Sequence, residues 1–348
     1  MSRFTIVFML TMTVVMAAHP TLAASYAVGT CKPTLPSFAN ISTAVSSVPP
    51  SSTVLVCPGT YKEQVTISQP LTLQGITSAN SAQAVIAVPD GGLSTTFDAL
   101  VGMLVAPQVM VTMGPVTLTN ITVDGTGADD TCNAQLAGIY YASGSSGTIN
   151  EVTTRSHLNS FCSIGILADN FSSTSESVTI QNSSVLDMDG IGIEVGTDQT
   201  PPTLTATIKG NTIDSNIGIL TFRNAGSVTG NVVSAVNSAL YLRAPASTVS
   251  GNTIPKSDIG IYAAEDGVSA TSNKISNSTI GIVIGAANTT FQSNTITRTT
   301  TGIDFYCRTA AVAHNTINDA NVGLADVPAS FASPNNVFNV STFRTGGC

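Results

Sequence analysis

Apolar and polar positions along the chain repeat on a fixed step. An Asn recurs at Asn211, Asn231, Asn252, Asn273, Asn294 and Asn315, at intervals of 20, 21, 21, 21 and 21 residues. A small residue keeps pace with it at Gly218, Ala239, Gly260, Gly281, Gly302 and Gly323, each 21 apart. Upstream, Gly138, Gly165 and Gly192 continue that series at intervals of 27, 27 and 26. Aliphatic residues hold fixed places around these marks. Two after each Asn stand Ile213, Val233, Ile254, Ile275, Ile296 and Ile317, and three before it Ile208, Val228, Val249, Ala270, Phe291 and Val312. One after each small residue come Ile139, Ile166, Ile193, Ile219, Leu240, Ile261, Ile282, Ile303 and Leu324. Between the marks the residues alternate, as in "GIYAAE" and "GIVIGA". Alternation predicts strands with every second side chain turned inward. A fixed step of this size predicts a stack of equivalent coils.

A leucine-rich repeat has a similar period, but Thr207 to Val327 holds only four Leu, at 220, 240, 242 and 324. The Ser, Thr, Val and Ile that stand in their place favour strand. The expected fold is therefore all-β, a single-stranded solenoid of short strands and turns. The Asn column has two readings here. Asn tolerates left-handed turn geometry, and stacked amides hydrogen-bond along an axis. The Gly column suits a tight corner. Ser37 to Val48 carries Phe38, Ile41, Ala44, Val45 and Val48 at helical spacing, a short capping helix. A cap is needed because the open end of a solenoid exposes unpaired edges.

Composition narrows the functional classes. The 348 residues carry a formal charge of −8, so nothing here neutralises a run of phosphates and nucleic acid is not an expected partner. Arg3, the apolar run Phe4 to Ala18 and the small residues Leu22-Ala23-Ala24 read as a signal peptide over residues 1–24, with no membrane span left after its removal. The expected location is secreted, periplasmic or cell surface. Six Cys fit an oxidising compartment. Sequence leaves their pairing open, but the grouping favours neighbours: Cys31–Cys57, Cys132–Cys162 and Cys307–Cys348.

With these features the chain resembles the right-handed parallel β-helix proteins of the pectate-lyase-like superfamily, over roughly its whole mature length. Pro49 to Gly75, "PPSSTVLVCPGTYKEQVTISQPLTLQG", is similar to the first coils of secreted members. The resemblance implies an N-terminal cap and first coils over 25–119, coils over 120–327 with longer loops before about 206, and a C-terminal cap over 328–348. It implies a monomer whose partner is a polysaccharide or cell-surface glycan. The superfamily contains lyases, hydrolases, esterases and epimerases, yet the motifs of its methylesterases, polygalacturonases, alginate epimerases and pectate lyases are absent. No named activity carries over.

Candidate site residues come from where the period breaks. Asn120 to Gly138 is 18 residues and Asn150 to Gly165 is 15, against eight in the regular coils, and Gly192 to Asn211 is 19, against thirteen. Loops on a rigid scaffold are where binding usually sits, and acids concentrate there. Three readings of these acids stay open. Asp129, Asp130 and Asp169 are candidate ligands for Ca²⁺, a hard cation that takes carboxylate oxygens. Asp187 and Asp189, at i and i+2, face one way if they lie in a strand, about 6.6 Å apart along it, which suits a hydrolytic pair. Glu194 and Arg155 are the remaining catalytic candidates. The third reading is a set of solvated turn acids. Outward positions two after each small residue include Tyr140, Tyr241 and Tyr262, with Arg243 two further along, a face suited to stacking on sugars. Two functions follow: a secreted protein that binds, and in the enzymatic reading cleaves, a polysaccharide; or a non-catalytic surface, adhesive or structural module.

Overall fold

The computed structural model describes residues 23–77, 83–98, 102–128, 131–159, 161–201, 203–245, 247–329, 331–332, 334–346 and 348. Residues 1–22 of the expected signal peptide 1–24, and the candidate ligands Asp129 and Asp130, lie outside them. Among the described residues the chain forms two sheets, of 13 and 20 strands, and one helix, α1 (Ile41–Ser47). Each coil places one strand in the smaller sheet and two in the larger. In the early coils those two are separate, as in Thr212–Ser215 and Ile217–Phe222. From Thr253–Ala263 onward they merge into one bent strand. Partners in successive coils run parallel and in register, so like residues stack.

Three aliphatic columns fill the interior. The first runs Val54, Leu73, Leu118, Ile149, Ile180, Ile208, Val228, Val249, Ala270, Phe291 and Val312. The second runs Val109, Ile139, Ile166, Ile193, Ile219, Leu240, Ile261, Ile282, Ile303 and Leu324. The third includes Ile254, Ile275, Ile296 and Ile317. All of these residues are buried. The expected aliphatic positions are thus the core.

The Asn column is a hydrogen-bonded ladder. Each Asn from 211 to 294 donates its side-chain Nδ2 to the Oδ1 of the next, at 2.9–3.0 Å. That same Oδ1 accepts the backbone N–H of the preceding Asn, at 2.9–3.0 Å. The second Nδ2 proton goes to a carbonyl of the preceding coil, such as Val228 O from Asn252 at 2.9 Å. Buried polar groups cost little only when their bonds are made, and here every amide position is used. The ladder residues do not adopt left-handed backbone. That geometry falls one residue earlier, at Gly210, Gly230, Gly251, Ser272, Ser293 and His314, with φ between 54° and 65°. The Gly column is not a corner either. A Cβ on Gly281 would lie 2.5 Å from Gly302 O and 2.6 Å from Ile296 Cγ2, so the small side chain is needed for close approach of one coil to the next.

Both ends are closed by side chains. Asn40 caps α1 by accepting Thr43 N–H at 2.9 Å, which starts the helix later than its apolar spacing predicts. Glu63 accepts Ile41 and Ser42 N–H at 2.8 Å each, and Gln69 donates to Val45 O and Val48 O at 2.8 Å each. At the other end Asn336–Gly346 adds a further rung on Thr316–Val327. There Arg344 occupies the place that Leu324 and the isoleucines hold above it, and donates to Phe331 O and Pro328 O at 3.0 and 2.9 Å. Phe331 packs on Phe305 with ring centroids 4.8 Å apart. All three cysteine pairs form as grouped, with Cα atoms 5.6, 5.5 and 5.6 Å apart.

Candidate functional site

The outward stripe on the larger sheet is continuous across coils: Tyr140 beside Leu167, then Glu194, Leu220, Tyr241, Tyr262, Val283 and Asp304. In its downstream half Leu220, Tyr241, Tyr262 and Asp304 are partly exposed, while Val283 is covered. Tyr241 and Tyr262 stack with ring centroids 5.0 Å apart and planes at 11°. Tyr262 extends across the next coil, where a Cβ on Gly285 would meet its ring at 2.5 Å. Beside them the guanidinium of Arg243 lies 5.0 Å from the Phe222 ring centroid, and that of Arg223 lies 5.2 Å from it. Register-locked strands hold these rings, so an offset-stacked pair and a cation–aromatic contact stand ready on a stiff surface.

The upstream half is covered, which corrects the expectation that Tyr140 faces solvent. Tyr140 is 4% exposed and Leu167 is 0% exposed. Tyr140 and Leu167 pack with Val105, Ala142 and Ile164, and a short strand, Thr96–Asp98, pairs antiparallel with Met103–Val111 and brings Asp98 to Tyr140. Asp98 itself is buried. Its carboxyl hydrogen-bonds with the Tyr140 hydroxyl and the Asp169 carboxyl. Tyr140 also donates to Asp169 Oδ2 at 2.8 Å. Burial first, and the Asp98 charge second, push Asp169 up to about 9, against the lowering effect of the Tyr140 hydrogen bond. Glu194, 6% exposed, is pushed up to about 7 by burial and by Asp98, with Arg243 pulling the other way. Burial and the neighbouring acids raise Tyr140 as well.

The other candidates lie elsewhere. The strand before Asp187 ends at Leu186, and Asp187 takes φ 53°, so alternation does not place it with Asp189. Both nonetheless line an open depression of about 400 Å³, with Asp214, Met188, Leu158 and Val236. Asp189 is an anchor: it accepts Asn159 N–H at 2.9 and 3.1 Å and the Ser163 hydroxyl at 2.7 Å. Arg155 is committed to Asp124, with Nη2 and Nε 2.8 and 3.1 Å from Oδ2. Burial pushes Asp124 up, but hydrogen bonds from Thr126 and Arg155 outweigh it and hold the carboxyl below its ordinary value. The structure therefore joins Glu194, Arg243, Tyr241 and Tyr262 on one face, puts Asp187 and Asp189 in another place, and leaves Arg155 in neither. Among the described residues no three of His, Cys, Asp and Glu are grouped to hold a metal ion, and no helix is long and apolar enough to cross a membrane. Asp169 makes its contacts with Tyr140 and Asp98. Asp98 escaped the sequence reading because it belongs to no repeat. The one signal was distance: Thr72 and Thr117 are register partners yet lie 45 residues apart, far more than a coil needs.

Residues 217–347 match the family model described as "right handed beta helix region". The chain has the right-handed parallel β-helix fold. Among solved structures, this β-helix is similar to the Dettilon tailspike protein at 14% identity and TM-score 0.55, covering 82% of this chain and 60% of that one. The chain thus spans under two thirds of the tailspike's length. It is also similar to a PL6 alginate lyase solved in complex with a trisaccharide, at 12% identity and TM-score 0.51, covering 93% of this chain and 85% of the lyase. No curated protein matches the sequence of this β-helix.

Proposed function

We propose that this β-helix is an exported carbohydrate-binding protein that holds a glycan chain along the open half of the stripe, over Phe222, Tyr241, Arg243 and Tyr262. The stacked, half-exposed Tyr241–Tyr262 pair carries the reading. Apolar faces of pyranose rings pack on such rings, and Arg243 supplies donors for hydroxyl or acid groups beside them. A β-helix of similar shape, the PL6 alginate lyase, has been solved with a trisaccharide. The three disulfides fit export.

The enzymatic reading draws on one observation. Glu194 stands one rung from Leu220 and two from Tyr241, with a value near 7 that suits proton transfer at neutral pH. Affinity electrophoresis against neutral and acidic polysaccharides, with and without calcium, tests the binding. Tyr262→Ala weakens the retained glycan about tenfold, the size of one lost stacking contact. Equal retention of wild type and Tyr262→Ala on every bound glycan sinks the reading. Product analysis then separates the two functions. New reducing or unsaturated ends that disappear in Glu194→Gln, with retention intact, make it an enzyme; binding with no product makes it an adhesive module.

A further inference from the structure

The depression beside Asp187 is walled by apolar side chains that stand in water. Leu158 is 51% exposed and Val236 is 75% exposed, over a buried Met188. Phe161, three residues after Leu158, is 70% exposed and takes φ 74°, a conformation that bulky residues rarely adopt. Single apolar side chains on a surface need no explanation, but a group of them around a depression of about 400 Å³ marks a place of contact. Leu158 follows Thr153–Arg155, Met188 follows Ser184–Leu186, Asp214 lies in Thr212–Ser215 and Val236 follows Val232–Ala235. These four strands pair in succession, so the depression runs along the stack.

Asp187 and Asp214 are exposed on its rim. Among the described residues the ion pairs are Lys62–Asp90 and Arg155–Asp124, and neither rim acid belongs to one. Lys256 stands two rungs from Asp214, about 10 Å along the stack. Asp189 is already held by Asn159 and Ser163. What complements these walls is a cation on an apolar stem. A second copy of this chain does not supply it, since a formal charge of −8 sets acid against acid. A sugar is a poor match, because no aromatic ring lines the depression. Lysine and arginine fit, because they lay their methylenes along apolar surface and keep the charged head in water. We propose that this depression docks an extended segment of a partner protein, one that carries Lys or Arg beside an aliphatic residue. Leu158, Met188 and Val236 take the stem and the aliphatic neighbour; Asp187 and Asp214 take the head. The proposal does not rest on the glycan reading.

Selection of random linear peptides displayed on phage against the full chain, without any glycan, tests it. The selected peptides are expected to carry Lys or Arg next to Leu, Ile, Val or Met. Made synthetically, they bind the double variant Asp187→Asn/Asp214→Asn about tenfold or more weakly than wild type. They bind Val236→Ser about fivefold more weakly, the size of one lost apolar contact. Both variants alter exposed side chains and leave Asp189 in place, so their far-UV circular dichroism matches wild type. Tyr262→Ala binds the peptides as wild type does, which separates this site from the glycan face. Selected peptides without a cation overturn the proposal, as does equal binding by wild type and the double variant. Failure to select any peptide overturns it too. So does displacement of the peptides by a glucosamine oligomer that needs the same two acids, which makes the occupant a cationic sugar.

Discussion

The coils after Asn211 and those before it solve one problem in opposite ways. Both must bury polar groups inside a stack of strands. The later coils reuse one neutral answer, the Asn ladder, in which each Oδ1 takes two donors and each Nδ2 gives two protons. The earlier coils vary in length, so a loop side chain has no counterpart in the next coil. Each polar group is then satisfied by its own arrangement. His157 Nε2 pairs with Gln108 Oε1 at 3.0 Å, Asp189 takes Asn159 and Ser163, and Asp98 joins Tyr140 and Asp169. Uniform coils bury neutral amides and hydroxyls; uneven ones also recruit groups that titrate. Regular and irregular halves should therefore fail under different stresses.

The largest effect is expected where the ladder is cut. Asn273→Ala leaves Asn252 N–H, Asn252 Nδ2 and Val249 O without the partners they now have. Several buried groups unpaired at about 1–3 kcal/mol each give a loss of about 4 kcal/mol. Urea unfolding followed by far-UV circular dichroism measures it; a loss under about 1 kcal/mol would mean the ladder is incidental.

The irregular half is expected to be the acid-sensitive one. His157 is fully buried, and burial lowers it to about 4, against the pull of Asp124 and the Arg155 backbone. The unfolded chain binds that proton more readily. Stability is thus lost as pH falls from about 6.5, by about 3 kcal/mol at pH 4. Comparing the pH dependence of urea unfolding with that of His157→Gln isolates the contribution. Identical slopes in the two proteins would remove His157 from the account.

A smaller effect sharpens the contrast inside the regular half. Gly281→Ala forces a methyl against Gly302 O and Ile296, for about 2 kcal/mol. Ala239 already stands in this column, so Gly218→Ala and Gly281→Ala, measured side by side by thermal unfolding, show how far each pair of coils yields. A neutral Gly281→Ala would show that neighbouring coils separate freely.

The contrast also explains what the sequence made legible. Repetition announces itself: the spacing of Asn, Gly and Ile marks the parallel stack, the core columns and the outward stripe. The disulfides followed from grouping, and the helix was placed within a turn, its start moved by the Asn40 cap. Local backbone roles were misassigned. A column marks a position that matters without saying whether the reason is φ, close approach or hydrogen bonding: of the two readings of the Asn column the amide ladder holds, while left-handed backbone falls on the predecessor. Of the site, the open half was legible because it inherits the repeat. The covered half was not. Asp98 reaches Tyr140 and Asp169 through an insertion that shares no period with them, and contacts of that kind leave no trace in spacing.

Arg344 has a consequence for the size of the molecule. A stack built on one repeating rung has no natural length; each new rung presents the same edge as the last. Here the column of isoleucines is broken at its final position by a guanidinium that turns back to bind two carbonyls. An added strand would have to strip water from that charge and break its two bonds. One residue thus acts as a ruler's end, keeping a surface that would otherwise template its own extension from growing into a fibre.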